Sequence, residues 1–552
     1  MKVDGGRESL YDFFAAGACV CAFIALSIPC WQCQGPHPDE TELLHSIWGM
    51  ITQQTALLRD ACCFRIGGVR IPYMIHRFHG PYEGYFAIPF MLIWRNTGEA
   101  IHAFSVFCGA LAVAAVYVLT RELFKNRAVS LLATLLSAIS PAFVMGARWG
   151  AFTGVLPVSA NLFALWAFLR WHRERKAAWL VSGCALLGFG CATRAWLVAS
   201  VVACLVCAMV YNADIRRACG QRPIRWWLVG TCGAAFAVWF LPHLFANLFH
   251  AWGSFRVIKA YNPGLAGGAS LFSHFSFWYA WRQQLGGLED ILNGSYLLNM
   301  FSDAEPVPQG MQSMLFLGLM AAAAGGIAAV SVVSWIRHGR ILKRHAWSLL
   351  FFAGYFLACL FSPTNYAGNH LFPVVPLLYV SLAAIPMMAP DRWRKAVWMV
   401  LLAACVIGAS RWIRYYRWSW RQLRQTEGRG PECSTAIVEL SRWLEQRKVS
   451  HPVVASEVNF SYNLRYLTGG SVDPEMGYWG PDARTPADPA SWAESVAKAN
   501  GAYFIFAVDQ PFRVATLDYI SALAKRYGKT FRRVREFPRR DGKMLFLVYT
   551  IV

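Results

Sequence analysis

Charged side chains are scarce in this 552-residue chain: they make up 15% of it, with only 31 acidic residues against 52 lysines and arginines. Soluble domains carry about 25% charge, so an ordinary water-soluble enzyme is excluded; a hydrophobic share of 56% stands in its place. Internal repeats and low-complexity tracts are also missing, and "LTGGS" (467–471) is too sparse for a phosphate-binding glycine fingerprint. The first apolar run has no small-residue cleavage site behind it, which argues for a retained span rather than a signal peptide. Zinc spacing is absent too: "CWQC" (30–33) and "CC" (62–63) have no His or Cys partners for a tetrahedral site. Ten of the sixteen cysteines sit in apolar runs as packing residues. Only Cys30, Cys33, Cys62, Cys63 and Cys433 are expected to face an oxidising side, which leaves room for one loop-stapling disulfide.

What is present is a series of windows long enough to cross a hydrocarbon core, which needs about 20 apolar residues per helix. They lie at 12–31, 101–120, 128–145, 151–169, 177–192, 195–212, 226–245, 311–336, 346–361, 371–388 and 396–410, with 84–94 as a short, re-entrant candidate. The expected fold is therefore a mainly α, polytopic membrane protein with about eleven transmembrane helices. Basic loops such as "RELFKNR" (121–127), "RWHRERK" (170–176) and "RHGRILKR" (337–344) alternate with nearly uncharged ones such as "SPTNYAGNH" (362–370). Positive loops stay cytoplasmic. This places the N-terminus inside and puts loops 32–83 and 246–310, with everything after 411, outside.

The net charge of +21 resides largely in those loops and in "RWIRYYRWSWRQLR" (411–424). Its expected partners are anionic membrane lipids and not nucleic acid. Past residue 430 the pattern changes: 434–448 and 514–528 read as helices, and 451–458, 501–508 and 543–552 as buried strands. Two units are expected, a transmembrane module over 1–428 and a small soluble α/β domain over 429–552.

The chemistry-bearing stretch is "GPHPDETELL" (35–44), two adjacent carboxylates where the chain has just left the first span. One reading is purely structural: Pro38 starts an interfacial helix, and Asp39 and Glu40 favour its positive end. The other is functional, because acidic groups beside anionic lipid gain no stability there. A second polar cluster, "RFHGPYEGYFAIPF" (77–90), returns the chain to the membrane with His79 and Glu83 together.

These residues carry a resemblance. The acidic pair after the first span, "FHGPYEGYFAIPFMLIW" (78–94) and the segment from His102 through "SAISPAFVMGARW" resemble bacterial members of the dolichyl-phosphate-mannose protein mannosyltransferase family. That family belongs to the GT-C superfamily of integral membrane glycosyltransferases, as do lipid A aminoarabinose transferases. The string "HPDE" is also similar to eukaryotic mannosyltransferases of lipid-linked oligosaccharide and glycolipid-anchor assembly, for which the location would be the endoplasmic reticulum; the bacterial resemblance implies the inner, plasma membrane. It covers residues 10–170 well and the later spans by layout.

The resemblance implies transfer of a sugar from a polyprenyl-phosphate donor to a glycan, lipid or protein acceptor, with inversion at the sugar C1. A polyprenyl phosphate is already a good leaving group, so no glycosidase-type acid is needed. One positioned carboxylate to receive the acceptor's proton suffices. The resemblance puts that base at Asp39, with Glu40 orienting it, the acceptor or a divalent cation such as Mg or Mn. Arg148, in "MGARWG", would either meet the donor phosphate or serve as an ordinary interfacial anchor; His79, Arg256, Lys259 and His370 are further candidates for the phosphate, with Glu83 and Tyr261 beside the substrate. Two departures stand out: "NHLFPVVP" has Asn369 and His370 where relatives keep an Arg-Tyr pair, and "GARWGAFTG" (146–154) has no second acid, which argues against a bridged metal. The loop 246–310, with an interfacial helix at 270–292 and glycines in 262–270, is expected beside the active site. A polysaccharide polymerase or ligase, or a lipid-linked-sugar flippase, is the alternative; a flippase should show inverted repeats and charges within its spans.

Overall fold

The computed structural model describes residues 4–59, 61–75, 80–148, 154–194, 197–210, 226–249, 277–292, 346–360, 368–431, 433–448, 453–455, 458–476, 494, 496, 501–508 and 513–552. The described chain is mainly helical, and its long apolar helices make it an integral membrane protein. Among the described residues, five helices or helix pairs are long and apolar enough to span: Leu10–Ser27 within α1 (Asp4–Ser27), α4 (Gly98–Phe124), Trp226–Phe249, His370–Met388 and Asp391–Thr426. A bent pair, α5 (Arg127–Ile139) and α6 (Pro141–Arg148), makes a sixth. Shorter apolar helices occupy Ala177–Thr193, Val198–Val210 and Leu350–Leu360, and the window 311–336 falls outside the described residues.

The bent pair departs from the single span expected at 128–145. Proline disfavours a helical residue before it and brings no N–H of its own. Ser140 is accordingly extended, with φ −71° and ψ 140°, and the two helices meet at 54°. The freed groups are taken up locally: Phe143 N–H donates to Ser140 Oγ at 3.2 Å, and Tyr416 Oη donates to the Ile139 carbonyl at 2.9 Å. The break is therefore built into the core.

The two ends of the module differ in chemistry. At one, Asp12 of α1 takes Tyr117 Oη at 2.9 Å, Arg121 Nε at 3.3 Å and Arg127 Nε at 3.0 Å. There Glu122 also meets Lys125 and Arg173 at 2.7 and 3.1 Å. These are the basic loops, gathered against the N-terminal part of α1. At the opposite end of α4, His102 Nδ1 lies 3.3 Å from the Arg148 carbonyl, next to where α1 finishes.

The first long loop is ordered around α2 (Pro38–Thr52) and a hairpin, β1 (Cys62–Ile66) with β2 (Val69–Met74). Gly67 and Gly68 at φ 57° and 86° form the two-residue turn, a backbone that nearly only glycine adopts without cost. Next comes α3 (Tyr82–Trp94), whose start packs on α2, then α7 (Val155–Glu174), α8 (Ala177–Thr193) and α9 (Val198–Val210). The described helices that follow are α10 (Trp226–Ala237), α11 (Leu241–Phe249), α12 (Phe277–Leu292), α13 (Ala346–Leu360), α14 (Val375–Met388) and the 36-residue α15 (Asp391–Thr426).

After α15 the chain forms a five-stranded mixed sheet in the order β4-β3-β5-β7-β6. The strands are β3 (Val453–Ala455), β4 (Glu475–Met476), β5 (Tyr503–Ala507), β6 (Phe531–Pro538) and β7 (Met544–Ile551). β3 pairs in parallel with β4 and β5, and β7 runs antiparallel to both β5 and β6. Helices α16 (Thr435–Gln446), α17 (Val458–Leu467) and α18 (Arg513–Arg526) accompany the sheet. Separate apolar clusters form around Leu440, Phe460 and Val548 and around Phe504, Ile520 and Ile551.

Candidate active site

The acidic pair opens α2, and the local sequence explains why. Pro38 occupies the first turn, where its missing N–H costs nothing. His37 caps the helix: its Nδ1 accepts the Asp39 N–H at 3.1 Å, while Glu40 Oε2 reaches back to the His37 N–H at 3.4 Å. Accepting at Nδ1 requires an unprotonated nitrogen there, and burial holds the His37 imidazole below its ordinary pKa despite the nearby Asp39 carboxylate. The reciprocal cap satisfies two otherwise orphaned donors.

The two carboxylates consequently part company. Glu40 is fully buried, whereas the Asp39 side chain is 50% exposed, with Oδ2 3.9 Å from His37 Nδ1. The pair starts a helix, and Asp39 faces out of it. A divalent cation fits poorly, since Glu40 is turned into the cap, and among the described residues no three His, Cys, Asp or Glu side chains converge as ligands.

The stretch ahead of Asp39 is braced from the C-terminal unit. Asn463 on α17 donates Nδ2 to the Pro36 carbonyl at 3.0 Å, and its Oδ1 accepts from Thr41 Oγ at 2.6 Å. Gly35 N–H donates to the Cys433 carbonyl at 2.8 Å. Asn96, between α3 and α4, donates to the carbonyls of Tyr466 and Leu467 at 2.9 and 2.8 Å, satisfying the end of α17. Asn463 and Tyr466 are wholly buried in this seam. Sequence reasoning missed it, because Asn463 lies 422 residues from Thr41 and nothing local announces the contact.

Beside α2, Gly84 lets α3 approach closely: a Cβ there would sit 2.4 Å from Ile47 Cγ1 and 3.1 Å from the Leu43 carbonyl. Leu43 is one helical turn, about 6 Å, from Asp39. The residue before Gly84 is Glu83, buried and ion-paired through Oε2 with Arg194 Nη2 at 2.9 Å. Burial pushes the Glu83 carboxyl up to about 7, against the pull of Arg194. Arg194 also lies within electrostatic reach of His370, whose backbone carbonyl accepts Tyr355 Oη at 2.7 Å. Arg194 was not singled out from sequence, although a lone arginine between the windows 177–192 and 195–212 is the kind of signal that marks such a site.

Arg148 is held against the end of α1. Its side chain is buried, and Nη1 and Nη2 donate to the carbonyls of Pro29 and Cys30 at 2.6 and 2.7 Å. Carbonyls just past a helix end need such donors, and a cation suits that end of α1. His79, Arg256, Lys259 and Tyr261 lie outside the described residues.

ArnT from Cupriavidus metallidurans, in a crystal structure bound to undecaprenyl phosphate, superposes with a TM-score of 0.56 at 12% identity, covering 98% of each chain. The chain shares the fold of that structure. The apo state of the same ArnT gives 0.54 at 13% identity over 99% of this chain and 98% of that one. The archaeal oligosaccharyltransferase AglB from Archaeoglobus fulgidus, solved with an inhibitory peptide and a dolichol-phosphate, gives 0.52 at 13% identity, over 95% of this chain and 73% of that one. Residues 78–245 match the family model described as dolichyl-phosphate-mannose-protein mannosyltransferase. The resemblance read from the sequence thus holds. No curated protein matches by sequence.

Proposed function

We propose that this GT-C chain is a glycosyltransferase that moves a sugar from a polyprenyl-phosphate donor to an acceptor hydroxyl on the non-cytoplasmic face, inverting C1, with Asp39 as general base. The observation that carries the reading is the division of the acidic pair: Glu40 sealed into the helix cap, Asp39 fixed by it yet half exposed. The lipid phosphates bound to ArnT and AglB support the donor class.

In this mechanism the donor's phosphate departs without general-acid help, and positive charge builds on the sugar ring. The acceptor hydroxyl adds from the opposite face and gives its proton late to Asp39 Oδ, so placement matters more than basicity. His37 and Glu40 keep that oxygen in place through the cap. Glu83, Arg194 and His370, with His79, Arg256, Lys259 and Tyr261, would form the wall facing the donor. Arg148 acts at a distance by holding the end of α1, from which the loop to Asp39 departs. The reading includes eleven spans, a transmembrane module over 1–428, an extracytoplasmic unit over 429–552 and residence in a bacterial inner membrane.

Mass spectrometry of lipid-linked sugars and surface glycans, in cells with and without the protein, tests it. Loss of one sugar from a glycan, lipid or protein together with build-up of a polyprenyl-phosphate sugar is expected. Unchanged profiles of both would overturn the assignment.

A further inference from the structure

The end of α1 carries two cysteines that the proposed transfer reaction does not use. Cys33 N–H donates to the Cys30 carbonyl at 3.0 Å, closing a four-residue turn. Such turns bring the first and fourth Cα within about 7 Å, overlapping the roughly 4.4–6.8 Å that a disulfide spans. Arg424 Nε of α15 donates to the Cys30 sulfur at 3.2 Å. Protonated, Cys30 Sγ has an alternative contact, the Trp420 carbonyl at 3.7 Å. Both cysteines are partly exposed, so a reagent can reach them.

We propose that Cys30 and Cys33 form a reversible disulfide, making the turn between α1 and Asp39 a redox-sensitive element. The neighbouring Cys33 thiol, then the Arg424 and Arg148 guanidinium groups, hold the Cys30 thiol well below its ordinary value against the effect of burial, while its partner is pushed well up. Cys30 is therefore the attacking thiolate. It displaces one sulfur of a disulfide-bearing oxidant to give a mixed disulfide; Cys33 then loses its proton and attacks the Cys30 sulfur, releasing the oxidant's second thiolate. Two electrons pass to the oxidant, which leaves as a dithiol, and both cysteine protons pass to solvent or to the departing thiolates. The new bond draws Cys30 away from Arg424 and stiffens the path through Gln34 and Pro36 to Asp39. An oxidant is at hand because the turn lies on the non-cytoplasmic side, the one point taken from the proposed topology.

The test uses full-length protein purified in detergent, reduced, exposed to oxidised glutathione and then trapped with N-ethylmaleimide before peptide mass spectrometry. The peptide bearing Cys30 and Cys33 is expected to lose both labels and to regain them after dithiothreitol. Retention of both labels, or pairing of either cysteine with Cys62, Cys63 or Cys433, would overturn the proposal. In a Cys33→Ser background, the pH midpoint of Cys30 labelling should rise when Arg424 is changed to Gln. Once that midpoint lies above neutrality, each further pH unit it climbs lowers the thiolate fraction at neutral pH about tenfold. An unmoved midpoint would remove Arg424 from the mechanism. No sugar donor enters these measurements, so they stand or fall separately from the transferase reading.

Discussion

Asn463→Ala probes the seam that holds the Asp39 loop. The side chain is wholly buried and serves two hydrogen bonds, one to the Pro36 carbonyl at 3.0 Å and one from Thr41 at 2.6 Å. Truncation leaves a buried carbonyl without that donor, which costs about 1–3 kcal/mol. The loss of the Thr41 contact and a small cavity push the total toward the upper end of that range. Asn463→Asp keeps the shape but cannot donate to Pro36, so it should be at least as damaging. The control is Glu536→Gln on β6, which removes a partly exposed ion pair with Arg533 (38% and 57% exposed) and should cost about 0–1 kcal/mol. Unfolding in mixed micelles, followed by tryptophan fluorescence, gives the stabilities, and a transfer assay on the same samples reads the loop. Asn463→Ala matching Glu536→Gln in both stability and transfer would refute the claim that the C-terminal unit braces the site.

Gly84→Ala sets a methyl 2.4 Å from Ile47 Cγ1, and should cost about 1–3 kcal/mol in the same unfolding assay while lowering transfer through displacement of α2. Because burial raises Glu83 to about 7, the folded protein holds a proton that the unfolded chain releases near 4.5. That contribution is complete below about pH 4.5 and is lost as pH climbs through about 7, so the stability of the unaltered protein should fall across this window relative to Glu83→Gln; parallel curves would contradict it. Chelation of divalent cations should leave transfer intact, since Glu40 is turned into the cap rather than toward a shared ligand position.

Much of the fold was legible because its signals are local. Apolar length marked the membrane helices, and periodicity found α16 and α18 and the strands β3, β5 and β7. The bend at Ser140 was equally local, a proline inside an apolar window, but length alone hid it. The hairpin at "IGGV" was passed over because Cys62–Ile66 has little apolar alternation; its paired glycines were the usable clue. β6, an edge strand rich in exposed arginines, carries little apolar signal. In the site, Pro38 and the acidic pair after it marked the start of α2. The pairing of Glu83 with Arg194 and of Thr41 with Asn463 joins residues 111 and 422 apart, and such partners are chosen by tertiary packing.

The most direct test compares Asp39→Asn with Glu40→Gln in membranes supplied with a labelled polyprenyl-phosphate sugar. Gln at position 40 still accepts the His37 N–H, so its transfer should stay close to that of the unaltered protein, whereas Asn at position 39 removes the proton acceptor and should lower transfer about 10²- to 10⁴-fold with folding unaffected. Undiminished transfer by Asp39→Asn, or an equal collapse in both variants, would contradict the account.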